Sequence, residues 1–158
     1  MPTSKNEIHI GAIPEKVYNA FLNPDMLTRF LVPHEMTATI KDFRSGIGGG
    51  YKMVLRYPDT DTSTKGKTGE KEDGYTARFT TLEPYSKIVC LINFETTEAS
   101  FKGEMTETIT FHAHEGGTSL TIRFENIPEG IDPKDNVEGT ASSLSKLKKI
   151  LEEGSTHE

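Results

Sequence analysis

Apolar and polar positions alternate in several short runs of this chain, and one long run near the end follows a helical period instead. Alternation predicts strands at Glu7–Ile10, Met36–Phe43, Tyr51–Tyr57, Gly74–Leu82, Lys102–His112 and Ser119–Glu125, because successive side chains of a strand point to opposite faces. Lys87–Phe94 is apolar on both faces and predicts a central strand. Between the first two strands, Ile13–Leu22 and Asp25–Phe30 predict a pair of short helices. Pro14 suits a first helical turn, and Asn23-Pro24 separates the two. From Asp132 to Glu153 the apolar residues Leu144, Leu147, Ile150 and Leu151 form one stripe, as on a helix laid against a sheet. Asp132 before Pro133 is one candidate cap for this helix, and Asp135 with Glu138 is another; Gly154 is the expected stop. Strands joined by short turns imply an antiparallel sheet of six to seven strands in an α+β fold, with the last helix as cover.

That helix is lopsided. Its first half holds Gly139, Thr140, Ala141, Ser142 and Ser143, which fill little volume. Gripping a sheet at one end while leaving room at the other predicts a cavity for a small molecule, since empty space in a core is costly. Thr140→Trp is expected to shrink that room.

The order of these elements and their local motifs resembles the START/Bet v 1-like (SRPBCC) superfamily, in the branch named after the C-terminal domain of the activator of Hsp90 ATPase. The resemblance runs through Ile13–Phe21, Asn23-Pro24, Leu27 and Phe30, then Gly48–Tyr51, Gly74–Pro84, Thr108–Phe111, Gly117–Thr121 and Gly139–Leu151. It implies a helix-grip fold over the whole chain, residues 1–158: a curved antiparallel sheet wrapped around a long C-terminal helix, with a cavity between. It also implies hydrophobic ligand binding, a cyclase or dehydratase activity in the same cavity, or a stress-response, co-chaperone-like role with a protein partner. Phe30 and Thr140 stand where the family often has Trp, which reshapes any pocket.

Composition narrows the classes. The chain has 158 residues with net charge −6, and no Lys/Arg cluster stands clear of carboxylates, which argues against nucleic acid or anionic membrane as partner. No apolar run reaches membrane-spanning length, the N-terminus has no apolar signal core, and the one cysteine, Cys90, has no internal disulfide partner; the expectation is a cytoplasmic protein.

Candidate chemistry is sparse. Gly46–Gly50 runs into a strand rather than a helix, so it reads as a hairpin turn and not a phosphate loop. The stretch from Pro58 to Asp73 predicts a mobile polar loop. Its Asp59, Asp61, Ser63 and Glu70 fall at calcium-loop spacing, but Thr64 replaces the required Gly and Lys65, Lys67 and Lys71 repel a cation. The five histidines have no ligand spacing on a helix, so no metal and no cofactor are expected.

Glu107 stands out because it falls in phase with the inward residues Met105 and Ile109. A lone inward carboxylate needs a partner, water or a ligand, for which Arg56, Arg78, Arg123, Tyr51, Tyr57 and Tyr75 are available; a bulge that turns it outward is the alternative. Phase alone gives the candidate ligand-lining set: Phe30, Met36, Ile40, Met53, Leu55, Tyr75, Phe79, Cys90, Ile92, Met105, Glu107, Ile109, Phe124, Thr140, Ala141 and Leu144. No catalytic residue is assigned; in the enzyme reading Glu107 is the general acid or base.

Overall fold

The computed structural model describes residues 2–32, 37–56, 72–95 and 102–155. Seven strands, β1 (Thr3–Ile10), β2 (Thr37–Arg44), β3 (Gly50–Arg56), β4 (Glu72–Glu83), β5 (Lys87–Phe94), β6 (Glu104–His114) and β7 (Gly117–Glu125), form one antiparallel sheet. Their order, β1-β7-β6-β5-β4-β3-β2, is a meander from β2 to β7 with β1 added beside β7. Helices α1 (Pro14–Ala20) and α2 (Pro24–Phe30) lead from β1 toward β2, and α3 (Pro133–Ser155) closes the chain.

The strands form where alternation predicts them because one face is covered. In β6, Met105, Glu107, Ile109 and Phe111 are buried while Thr106, Thr108 and Thr110 are half-buried on the other face. In β7, Leu120, Ile122 and Phe124 continue the buried face. Each fully buried Leu, Ile or Phe contributes roughly 1.5–3 kcal/mol. The sheet bends at two irregularities, between Lys41 and Arg44 in β2 and between Phe79 and Thr81 in β4, where an extra residue breaks the ladder.

The helices dock on that buried face. α1 rests on β6 and β7, while α2 touches β2 and α3. Phe21 links them through edge-to-face contacts with Phe30 at 5.1 Å and Phe111 at 5.7 Å. The fully buried Thr118 donates from Oγ1 to the Ala12 carbonyl at 2.7 Å, which ties the β1–α1 connection to β7.

In α3, Leu144, Leu147 and Leu151 are buried and Ile150 is half-buried. Asp132 is the cap: its Oδ1 accepts from the Lys134 backbone N–H at 2.9 Å and its carbonyl accepts from Asn136 N–H at 3.1 Å. Asp132→Ala should therefore cost about 1 kcal/mol of stability in urea unfolding; an unchanged midpoint would assign the cap elsewhere. The helix does not stop at Gly154 but runs through it to Ser155.

Hydrogen bonds along the β1–α3 seam have no counterpart in the apolar pattern. Ser4 Oγ donates to Asn136 Oδ1, and Asn6 Nδ2 donates to the Val137 carbonyl at 3.1 Å. Lys148 donates to the His9 carbonyl at 2.8 Å, and Glu152 accepts from Gly11 N–H at 2.8 Å. Lys148 and that N–H hold the Glu152 carboxyl below its ordinary range.

Candidate functional site

The buried face of the sheet carries a small polar cluster inside an apolar wall. Register aligns Phe79 with Cys90, Cys90 with Glu107, and Glu107 with Phe124, giving one row across β4, β5, β6 and β7. Glu107 is 7% exposed, so it faces inward and the outward-turned alternative is excluded. Tyr51 and Tyr75 project from the same face of β3 and β4, close enough for each phenol to influence the other. Tyr51 stacks on Phe43 at 6.1 Å, and Tyr75 meets Phe94 edge-on at 6.0 Å.

The electrostatics follow from that placement. Burial lifts the Glu107 carboxyl to about 7. Burial, and then the neighbouring Glu107, push the Tyr75 and Cys90 groups well above their ordinary values. Tyr51 is raised by burial first and by Tyr75 next. Both phenols and the thiol are therefore neutral near pH 7, and Glu107 is the group that changes charge there. A buried neutral thiol is a poor nucleophile.

None of the three predicted arginine partners reaches Glu107. Arg56, Arg78 and Arg123 are exposed because each falls one residue out of phase with the buried face of its strand. Tyr51 and Tyr75 do lie near it, while Tyr57 lies outside the described residues.

Of the candidate lining set, Phe30, Met53, Leu55, Phe79, Cys90, Ile92, Met105, Glu107, Ile109, Phe124 and Leu144 are buried together. Ile40, Tyr75 and Thr140 are half-buried. Ala141 does not belong with them: it is exposed, because it points off the flank of the stripe that Leu144, Leu147 and Leu151 form. Ser143 takes the inward place at that level of α3 and is buried. Met36 and the stretch from Pro58 to Lys71 lie outside the described residues, and Glu72 and Asp73 belong to β4. Tyr51 was absent from the set although it shares the phase of Met53 and Leu55; that phase was the available signal.

The opposite face of the sheet bears an open groove of about 390 Å³ lined by Thr39, Lys41, Lys52, Val54, Arg56, Gly74 and Glu95. Lys52 pairs with Glu95 across it at 3.1 Å. Among the described residues no group of three or more His, Cys, Asp and Glu is placed to hold a metal ion, and no helix is long and apolar enough to cross a membrane.

Residues 12–152 match the family described as activator of Hsp90 ATPase homolog 1-like protein. Among solved structures, a protein from Chromobacterium violaceum is similar at 28% identity and a TM-score of 0.82, over 94% of this chain and 96% of that one. A protein from Mycobacterium smegmatis (18% identity, TM-score 0.77, 97% and 92% covered) shares the fold. So does the Aha1 dimer from Colwellia psychrerythraea (20% identity, TM-score 0.62, 96% of each chain). No curated protein matches.

Proposed function

This chain belongs to the family of activator of Hsp90 ATPase homolog 1-like proteins, and from that premise we propose that it binds a small hydrophobic molecule between the sheet and α3, with the polar end of that molecule at Glu107. One observation carries the reading: a carboxyl 7% exposed, set in an apolar wall and raised to about 7 by burial alone. Desolvating a carboxyl costs several kcal/mol unless something compensates, and a bound polar group is such a compensation. The neighbouring apolar side chains suit the rest of the molecule.

Native mass spectrometry of the purified protein is expected to show a bound lipophile that organic extraction removes, and the stripped protein should take up Nile red. Thr140→Trp, at a half-buried position of α3, should weaken that uptake severalfold, whereas Ala141→Trp, at an exposed one, should not. Protein that carries no lipophile and takes up no dye would end this reading.

A second reading has its own observation. A carboxyl near 7 with the neutral phenols of Tyr51 and Tyr75 nearby is suited to general acid–base work, as in a cyclase or dehydratase. Turnover of a hydroxyketone or polyketide-like substrate that vanishes in Glu107→Gln would favour it. The likeness to the Aha1 dimer carries the fold alone.

A further inference from the structure

The surroundings of Glu107 bear on the chemistry of the bound molecule's polar end. Each strand from β3 to β6 that holds a basic residue turns it to the outer face. Lys52 and Arg56 alternate with buried Tyr51, Met53 and Leu55. Arg78 lies between buried Ala77 and Phe79, and Lys87 precedes buried Ile88. In β7, Arg123 lies between buried Ile122 and Phe124. From α3, Lys146 donates to the Val32 carbonyl and Lys148 to the His9 carbonyl. Among the described residues, then, no cation is set against the Glu107 carboxyl.

The titratable groups that do face it are Tyr51 from β3, Tyr75 from β4 and Cys90 from β5, all held neutral near pH 7 by burial. Phe124 is its register partner on β7. An ionised Glu107 thus has neutral aromatic neighbours and, among the described residues, no counter-charge. Aromatic faces favour a cation, and a desolvated carboxylate favours one more strongly. A second carboxylate at this place would meet like charge in a poorly solvated interior. A neutral alcohol would supply one hydrogen bond and leave the charge uncompensated.

Resting on the reading that this interior takes an apolar molecule, we propose that the molecule is a lipophilic amine, whose ammonium pairs with Glu107 among the rings of Tyr51, Tyr75 and Phe124. The pairing is non-covalent. It selects amines over alcohols and acids of the same chain length, and it works where Glu107 is ionised.

The test uses the full chain stripped of lipophile by organic extraction, with calorimetric titration of n-octylamine, 1-octanol and octanoate into wild type and Glu107→Gln. At pH 8 octylamine is expected to bind wild type about tenfold or more tighter than octanol, with octanoate weakest. In Glu107→Gln the amine and the alcohol should come within about twofold of each other. The ammonium stays protonated from pH 6 to 8, so only Glu107 titrates. Lowering the pH from 8 to 6 should cut octylamine affinity about tenfold in wild type and leave it unchanged in the variant. Nile red uptake without any preference for octylamine in wild type overturns the amine proposal and leaves the binding reading standing. Failure to take up Nile red or any of the three alkyl probes overturns both. The comparison among probes in wild type needs no variant, and a cooperative thermal transition for Glu107→Gln confirms that it folds.

Discussion

Glu107→Gln should unfold at a higher temperature than wild type at pH 8 and at a slightly lower one at pH 4. The carboxyl is raised from 4.5 to about 7 by burial, so the folded protein holds this proton more tightly than the unfolded chain does. Below about pH 4.5 the group is protonated in both states and imposes no penalty. As the pH rises toward 7 the unfolded chain releases the proton and the folded protein is reluctant to, so stability drains away across that window. Above it the deficit is constant at about 3 kcal/mol, from a shift of this size. Glutamine keeps the shape and cannot ionise. It should recover about 2–3 kcal/mol at pH 8, less than the whole because its amide must also find partners. In a chain of this length that corresponds to roughly 4–12 °C. Thermal melts of stripped protein from pH 4 to 8 measure it directly. Parallel curves for the two proteins across the range would show that the Glu107 carboxyl is solvated in the folded protein.

Gly50→Ala should cost about 4 kcal/mol or prevent folding, whereas Gly48→Ala, two residues away in the same run, should cost about 1 kcal/mol. Gly50 has φ +147, a region that side chains rarely enter, and a Cβ there would stand 1.9 Å from the Ala77 carbonyl oxygen and 2.9 Å from its carbon. Both atoms are backbone of the paired strand β4, so relief means separating β3 from β4. Gly48 has φ +89 with nothing within 4 Å of its would-be Cβ, which leaves only the strain of the dihedral. The turn is fixed to β4 from both sides: Gly48 N–H donates to the Phe79 carbonyl at 2.8 Å, and Phe79 N–H donates to the Gly49 carbonyl at 2.9 Å. It therefore sets where Tyr51 begins its strand, and with it the Tyr51–Tyr75 pair. Urea unfolding of the two variants gives the comparison; equal losses would mean that the close approach to Ala77 is not what demands glycine.

The fold was legible in the sequence wherever one face of an element is apolar and the other is not. β6 and β7 announce themselves by strict alternation, and the Leu144, Leu147, Leu151 stripe announces α3. The inward direction of Glu107 was readable from the same phase. Its partners were not, because a place in a strand brings Arg56, Arg78 and Arg123 near the site only if they share the buried phase, and each is one residue out of it. The first half of β1 was missed for a different reason. Ser4 is buried and polar, and its place is determined by Asn136 on a helix more than a hundred residues away, a relation no local window contains. Ala141 was misplaced because small residues give a helical pattern no contrast; only the neighbouring leucines fix the angle of the stripe. The two candidate caps, Asp132 and Asp135, were equivalent as sequence and are separated by which oxygen meets a free backbone N–H.

The pairing of the first strand with the last has a consequence for how the protein is made. Ile10 aligns with Thr118 and Thr3 with Glu125, so β1 leaves the ribosome long before the strand it must lie against exists. At about 5–20 residues per second that interval is roughly 5–20 s. Meanwhile the meander from β2 onward can assemble hairpin by hairpin, each pairing with the strand just made. The nascent chain thus carries an early strand whose apolar Ile8 and Ile10 have no partner until β7 has been made. The exposed, polar positions Thr3, Lys5, Glu7 and His9 alternate with them, and they keep this waiting segment soluble.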